Sequence, residues 1–178
     1  YAAQAVALVV ASKAVALPVT VSYLTNNTLA SATAGETVRS TAVRHLFDVN
    51  LVYVLAALLL VAALVHGLAA TKLREPYEAG LRKRVSRSRW LGAAVAGSLG
   101  LLAVAMIVGV TDIAVLAAVS GLGVMASIAG LAVEQRSHGS DRPGVLLRLM
   151  TVLACALPWL VMGLYVKGAF FWGSGVPW

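Results

Sequence analysis

Residues 86–116 read SRSRWLGAAVAGSLGLLAVAMIVGVTDIAVL. Arg87 and Arg89 end at Trp90, and no formal charge follows until Asp112. That uncharged run is about 20 residues long, the length of helix that crosses the hydrocarbon core of a bilayer. Its far end, Thr111-Asp112, is the whole connection to a second apolar run, and Asp112 is placed to cap the helix that follows. Two spans joined so tightly have to be antiparallel neighbours. The fold class is set here: an all-α integral membrane protein.

Working outward, the chain has 178 residues, 60% hydrophobic and 12% charged, with a mean hydropathy of +0.88. Soluble domains carry roughly a quarter charged residues, so the composition belongs to a membrane protein. Hydropathy predicts about five transmembrane helices, near 1–17, 49–71, 89–110, 112–133 and 145–166, in one membrane domain over 1–178. The first run opens without Met or a basic leader and does not resemble a signal peptide; the sequence reads as a piece of a longer chain. Between the first two spans, 18–48 is the only long loop. "LPVTVSYLT" alternates β-branched residues and "NNTLASATAGE" is turn-like, which predicts a short external β-hairpin.

A formal charge of +7 would suggest nucleic acid in a soluble protein, but here it has to be read by location. Lys72, Arg74, Arg82, Lys83, Arg84, Arg87, Arg89, Arg136, Arg142 and Arg148 fall on one side of five alternating spans. Only Lys13, Arg39, Arg44 and Lys167 fall on the other. Cytoplasmic loops carry the Lys/Arg excess, which predicts a multi-pass protein of the cell membrane with a cytoplasmic N-terminus. The basic cluster is then a topology signal and a contact for anionic lipid headgroups, and no nucleic-acid partner is expected.

Polar groups at membrane depth are expensive and usually functional. The inventory is short: Gln4, His66 in the second span, and Pro158-Trp159 in the fifth, with no Asp, Glu, Lys or Arg central in any span. His45, His66 and His138 lie in an outer loop, a membrane helix and an inner loop, so no metal site is expected. Neither a nucleophile triad nor a phosphate loop is present, and the chain is not expected to be an enzyme. Each remaining group has a structural reading beside the functional one. His66 can bond a neighbouring helix, and Pro158 can kink its own. Trp90, Trp159, Trp172 and Trp178 suit interface anchors, with Trp159 alone deep enough to line a cavity. Gly92, Ala96, Gly97 and Gly100 suit close helix packing. The single Cys155 cannot form an intrachain disulfide.

Several stretches, in order, resemble the heliorhodopsins, seven-helix retinal proteins inserted with the N-terminus inside. "LPVTVSYL" is similar to the family's external segment, and "YVLAALLLVAALVHGLAAT" places His66 where the family has a histidine. "YEAGLRKRVSRSRWL" resembles the basic lead into the third helix, with Arg89-Trp90 as its marker. "VGVTDIAVLAAVSGLGVMASIAGLAVEQR" resembles the next turn and helix, with Asp112, Gly121, Gly130 and Glu134 in register. "LPWLVMGLY" is similar to the fifth helix and "GSGVP" to the approach to the sixth. The resemblance thus covers about five of seven helices, an incomplete rhodopsin-like bundle, and implies light sensing or signalling through bound retinal. The pocket positions it implies are His66, Trp90, Gly92, Gly123, Pro158 and Trp159.

The departures bear on that role. Gly92 stands where the family has the glutamate counterion of the protonated Schiff base, and Ala93 and Ala94 replace Tyr and Ser. Gly123 replaces an Asn, and the first-helix histidine falls at Tyr1. A buried protonated Schiff base without a nearby anion loses electrostatic support, so its pKa should fall. The retinal-binding lysine belongs to the family's seventh helix, and neither Lys13 nor Lys167 is central in a span. These residues alone therefore lack both the Schiff-base lysine and the counterion. The expectation is a degenerate or incomplete retinal photoreceptor. A non-photoactive accessory or scaffold subunit, as a homo-oligomer or with another membrane subunit, is the alternative. A small-solute transporter or channel comes third.

Overall fold

A computed structural model describes residues 1–72, 74–82, 87–137 and 144–172. Lys83, Arg84, His138, Arg142, the "GSGVP" stretch and Trp178 lie outside the described residues, as does the side chain of Trp172. In chain order the elements are α1 (Ala2–Ala11), β1 (Ala16–Asn26), α2 (Thr28–Ala34), β2 (Arg39–Asn50), α3 (Leu51–Ala70), α4 (Arg74–Arg82), α5 (Arg87–Ile107), α6 (Ile113–Ser137) and α7 (Val145–Trp172).

Helices α3, α5, α6 and α7 are each long and apolar enough to cross a membrane. Their principal contacts run in a row, α1 to α3 to α5 to α6 to α7. Burial follows the row. In the most apolar stretch of α5 and α6, 22% and 28% of residues are buried, against 11% in α3 and α7. The inner pair is α5 and α6, while α3 and α7 leave most of their apolar surface to lipid. Lipid tails are as apolar as Leu, so close packing of small residues, not water exclusion, holds such helices together.

The first predicted span needs correction. Helix α1 stops at Ala11, where Ser12 turns extended and its N–H closes the last turn on Leu8. Residues 15–17, expected inside the span, belong to the hairpin instead: Leu51 donates to the Val15 carbonyl, and Ala16 and Leu17 pair with Asn50 and Val49. Sheet hydrogen bonds claim this backbone before the apolar run is used up. The third, fourth and fifth helices also start or end beyond their predicted apolar limits, because helix hydrogen bonds do not require apolar side chains.

The hairpin is longer than a short loop strand. β1 and β2 pair antiparallel from Ala16↔Asn50 to Asn26↔Arg39, with an irregularity between Val19 and Thr20. Helix α2 occupies the turn-like 28–34, where the hydroxyl of Ser31 accepts from the Val38 N–H and so closes the loop onto β2. Asn50 ends β2 and begins α3, its side-chain oxygen accepting from Val52 N at 3.0 Å.

The turn between α5 and α6 is the tight one expected. Gly109 takes φ +98°, a left-handed conformation that glycine adopts without a Cβ clash. Its N–H bonds Met106 O and the Val110 N–H bonds Ala105 O, the two bonds of a Schellman cap. Val110 then turns inward and is 1% exposed, packed with Val19, Met106, Leu116, Val119 and Met162. This core sits where hairpin, turn and α7 meet, so it locks the strands to the helical row.

Candidate functional site

Five of the six predicted site residues divide between two grooves that share α5. The first lies between α3 and α5 beneath α4, and holds about 270 Å³. Ala62, Val65 and Ala69 form one wall, Gly92, Ala93 and Ala96 the other. His66, Tyr77, Ser88 and Arg89 supply its polar groups. A Cβ on Gly92 would lie 2.8 Å from Cγ1 of Val65, so the absent side chain is also the reason α3 and α5 approach here. His66 Nδ1 lies 2.7 Å from the Ala62 carbonyl of its own helix, which can only accept, so that nitrogen donates. The His66 ring also meets Tyr1, with centroids 5.4 Å apart, which ties α1 to α3.

The second groove, about 410 Å³, lies among α5, α6 and α7. Gly97, Gly100, Leu101 and Gly123 face Ala154, Cys155, Pro158 and Trp159 across it. Pro158 is buried and has no N–H, so the carbonyl of Ala154, one turn earlier, loses its helical donor. Trp159 is 60% exposed and forms the rim. Gly97 and Gly100, expected to make close helix contacts, have no neighbour within 4 Å of a built Cβ and open onto this groove. Gly123 does pack closely, with Cδ1 of Leu101 at 2.7 Å from its built Cβ.

Trp90 joins neither groove. Its six-membered ring lies against Gly130 of α6, where any Cβ would come inside 3.0 Å of Cη2 and Cζ3. The indole N–H donates to Oε2 of Glu134, and Arg89 donates from a terminal nitrogen to Oε1 at 3.0 Å. The Arg89 guanidinium also sits 5.3 Å from the Trp90 ring centre. Glu134, 16% exposed, is thus the acceptor of a clasp between α5 and α6. Nothing in the spacing of Arg89 and Glu134 reveals this pairing; only their common register with the family pointed to both.

At the opposite end Asp112 does more than cap. Oδ1 accepts from Ala114 N at 2.9 Å, as its position predicts, while Oδ2 accepts from Ser22 N in β1 at 3.0 Å. Beside it, Thr20 N donates to the Thr111 carbonyl at 2.8 Å. The hydroxyl of Ser22, followed by the Ala114 N–H, holds the Asp112 carboxyl below the usual carboxylate range. His45, further along the hairpin, pairs with Asp48 at 2.9 Å.

For a protonated Schiff base the residues present do not fit. Among the described residues neither groove is lined by a lysine or a carboxylate. Lys167 lies near the end of α7 over the Phe171 ring, and Lys13 lies between α1 and β1. Glu134 is already compensated by Arg89. Tyr77, Ser88 and Cys155 line the grooves without having been singled out; the helical spacing of Ala62, His66 and Ala69 was the available signal for the first groove.

No curated protein matches the chain. The Heliorhodopsin family model matches residues 1–178. That match agrees with the tight Asp112 turn, the hairpin after the first helix and the apolar helices, and the chain belongs to the heliorhodopsin family.

Proposed function

We propose that this protein is a heliorhodopsin whose light-sensing role is degenerate: it keeps the family's membrane scaffold but does not sustain a protonated retinal Schiff base. The observation that carries the reading is Gly92, where the counterion position lacks an acid and α3 closes to 2.8 Å from a built Cβ. Without an anion in that low-dielectric setting, the charged form of a Schiff base is disfavoured. The full-length protein incubated with retinal is the test. No hydroxylamine-sensitive visible band is expected near neutral pH, and such a band would overturn the proposal.

An accessory or scaffold role is the second reading. It is favoured by α7, which packs chiefly on α6 and leaves Leu146, Leu149, Leu153, Leu160 and Leu164 exposed. Co-isolation of a stoichiometric membrane partner, or a stable homo-oligomer, supports it. A transporter or channel ranks third, because the apolar spans offer little besides His66 and Gln4 as a polar path. The proposed topology puts the Arg89 end in the cytoplasm and the hairpin outside. Protease cleavage at Arg39 or Arg44 from the cytoplasmic side alone would refute it.

A further inference from the structure

The groove between α3 and α5 has the shape and polarity of an amphiphile site. Its mouth is at the ends of the two helices, where Ala69, Ser88 and Arg89 lie, and Tyr77 of α4 covers it. From Ala69 to Ala62 the apolar walls descend about 10 Å at 1.5 Å per residue. Arg89 spends one terminal nitrogen on Glu134, is 61% exposed, and keeps further donors of its fork. Tyr77 and Ser88, which also line the groove, add hydroxyl donors. The surrounding segment is cationic. Lys72, Arg74, Arg82, Arg87 and Arg89 outnumber Glu75 and Glu78, and Glu78 is already paired with Arg74 at 2.8 Å.

We propose that this groove binds one anionic phospholipid from the adjoining leaflet. The phosphate lies at Arg89, Ser88 and Tyr77, and the upper part of an acyl chain lies along Ala62, Ala93 and Ala96. Charge complementarity selects the occupant: a phosphate diester matches the donors at the mouth, and small side chains leave a cleft only an apolar tail fills without loss. The site does not depend on a chromophore, so its failure is distinct from failure of the photoreceptor reading.

Native mass spectrometry of the full-length protein, released from micelles holding equal phosphatidylglycerol and phosphatidylcholine, reads the site directly. One phosphatidylglycerol per chain should be retained in preference. Arg89→Gln should reduce that retention about fivefold, the weight of one cation against an anionic membrane surface. Ala93→Leu should reduce it by filling the cleft, at a position that is exposed and outside the core. Glu134→Gln separates binding from packing: it releases Arg89 from its ion pair, so retention should hold or rise. Equal retention of the two lipids overturns the proposal. So does a parallel loss in Arg89→Gln and Glu134→Gln, which would make Arg89 only a partner of Glu134. Displacement of the lipid by inorganic phosphate at equal concentration would show a phosphate site with no lipid specificity, and also overturns it.

Discussion

Gly130→Ala tests how α5 and α6 are held. The new Cβ would lie inside 3.0 Å of Cη2 and Cζ3 of Trp90, and 3.1 Å from Cε3. Carbon atoms in contact normally sit about 3.5–4 Å apart. The ring is a poor candidate for yielding, because it is rigid and its N–H is bonded to Glu134. Overpacking of this kind costs about 1–3 kcal/mol. Alanine recovers about 1 kcal/mol over glycine in a helix, leaving a net loss of about 1 kcal/mol. Gly97→Ala is the control. With no atom within 4 Å of its Cβ, only the propensity gain remains. The two substitutions should therefore differ by about 2 kcal/mol in opposite directions. Reversible unfolding in mixed micelles measures both. In a Trp90→Ala background the penalty of Gly130→Ala should vanish, leaving a coupling energy of about 2 kcal/mol. A penalty that survives removal of Trp90, or equal behaviour of the two alanines, refutes the assignment of Trp90 and Gly130 as the close contact.

Further outcomes follow from the same contacts. Glu134→Ala should destabilise more than Arg89→Ala, by about 1 kcal/mol, because it also strands the half-buried Trp90 N–H, whereas the exposed Arg89 pair is worth about 0–1 kcal/mol; unfolding midpoints in detergent check the order. Asp112 has a lowered pKa, so its contribution is complete above the ordinary carboxylate value and is lost as pH falls below about 4. Thermal unfolding between pH 3 and 7 should show that loss, and Asp112→Asn should flatten this part of the profile. Gly92→Glu should yield no visible pigment in residues 1–178 when retinal is added, since no lysine lines either groove among the described residues. A visible absorption band in that variant would contradict this.

Gly92 is buried against α3 and lines the groove, so a side chain introduced there would enter the packed helix pair and not an exposed face. Here α3 has closed over the position, and Val65 occupies the space a longer side chain would need. The same groove is otherwise lined by alanines beneath a mouth that holds Arg89. The proposed loss of the counterion and the proposed lipid cleft thus rest on the same pair of helices, α3 and α5.

The sequence by itself determined the membrane class, the uncharged spans, the hairpin and the turn at Thr111-Asp112. Each is a local property: a run of apolar residues, an alternation of β-branched ones, a capping acid beside a run's end. It misjudged the first span because hydropathy does not reveal where sheet hydrogen bonds claim an apolar backbone, as they do at Ala16 and Leu17. Only the tertiary structure decided which small residues touch. Gly92, Gly123 and Gly130 meet side chains of other helices, while Gly97 and Gly100 face open space, although all share the same texture in the sequence. Likewise it separated His66 and Gly92 from Gly123, Pro158 and Trp159, and joined Arg89 and Trp90 to Glu134. The physical reason is that helix rotation and crossing are set by side-chain packing between distant segments. The hydropathy of a single segment is nearly the same whichever face it turns inward.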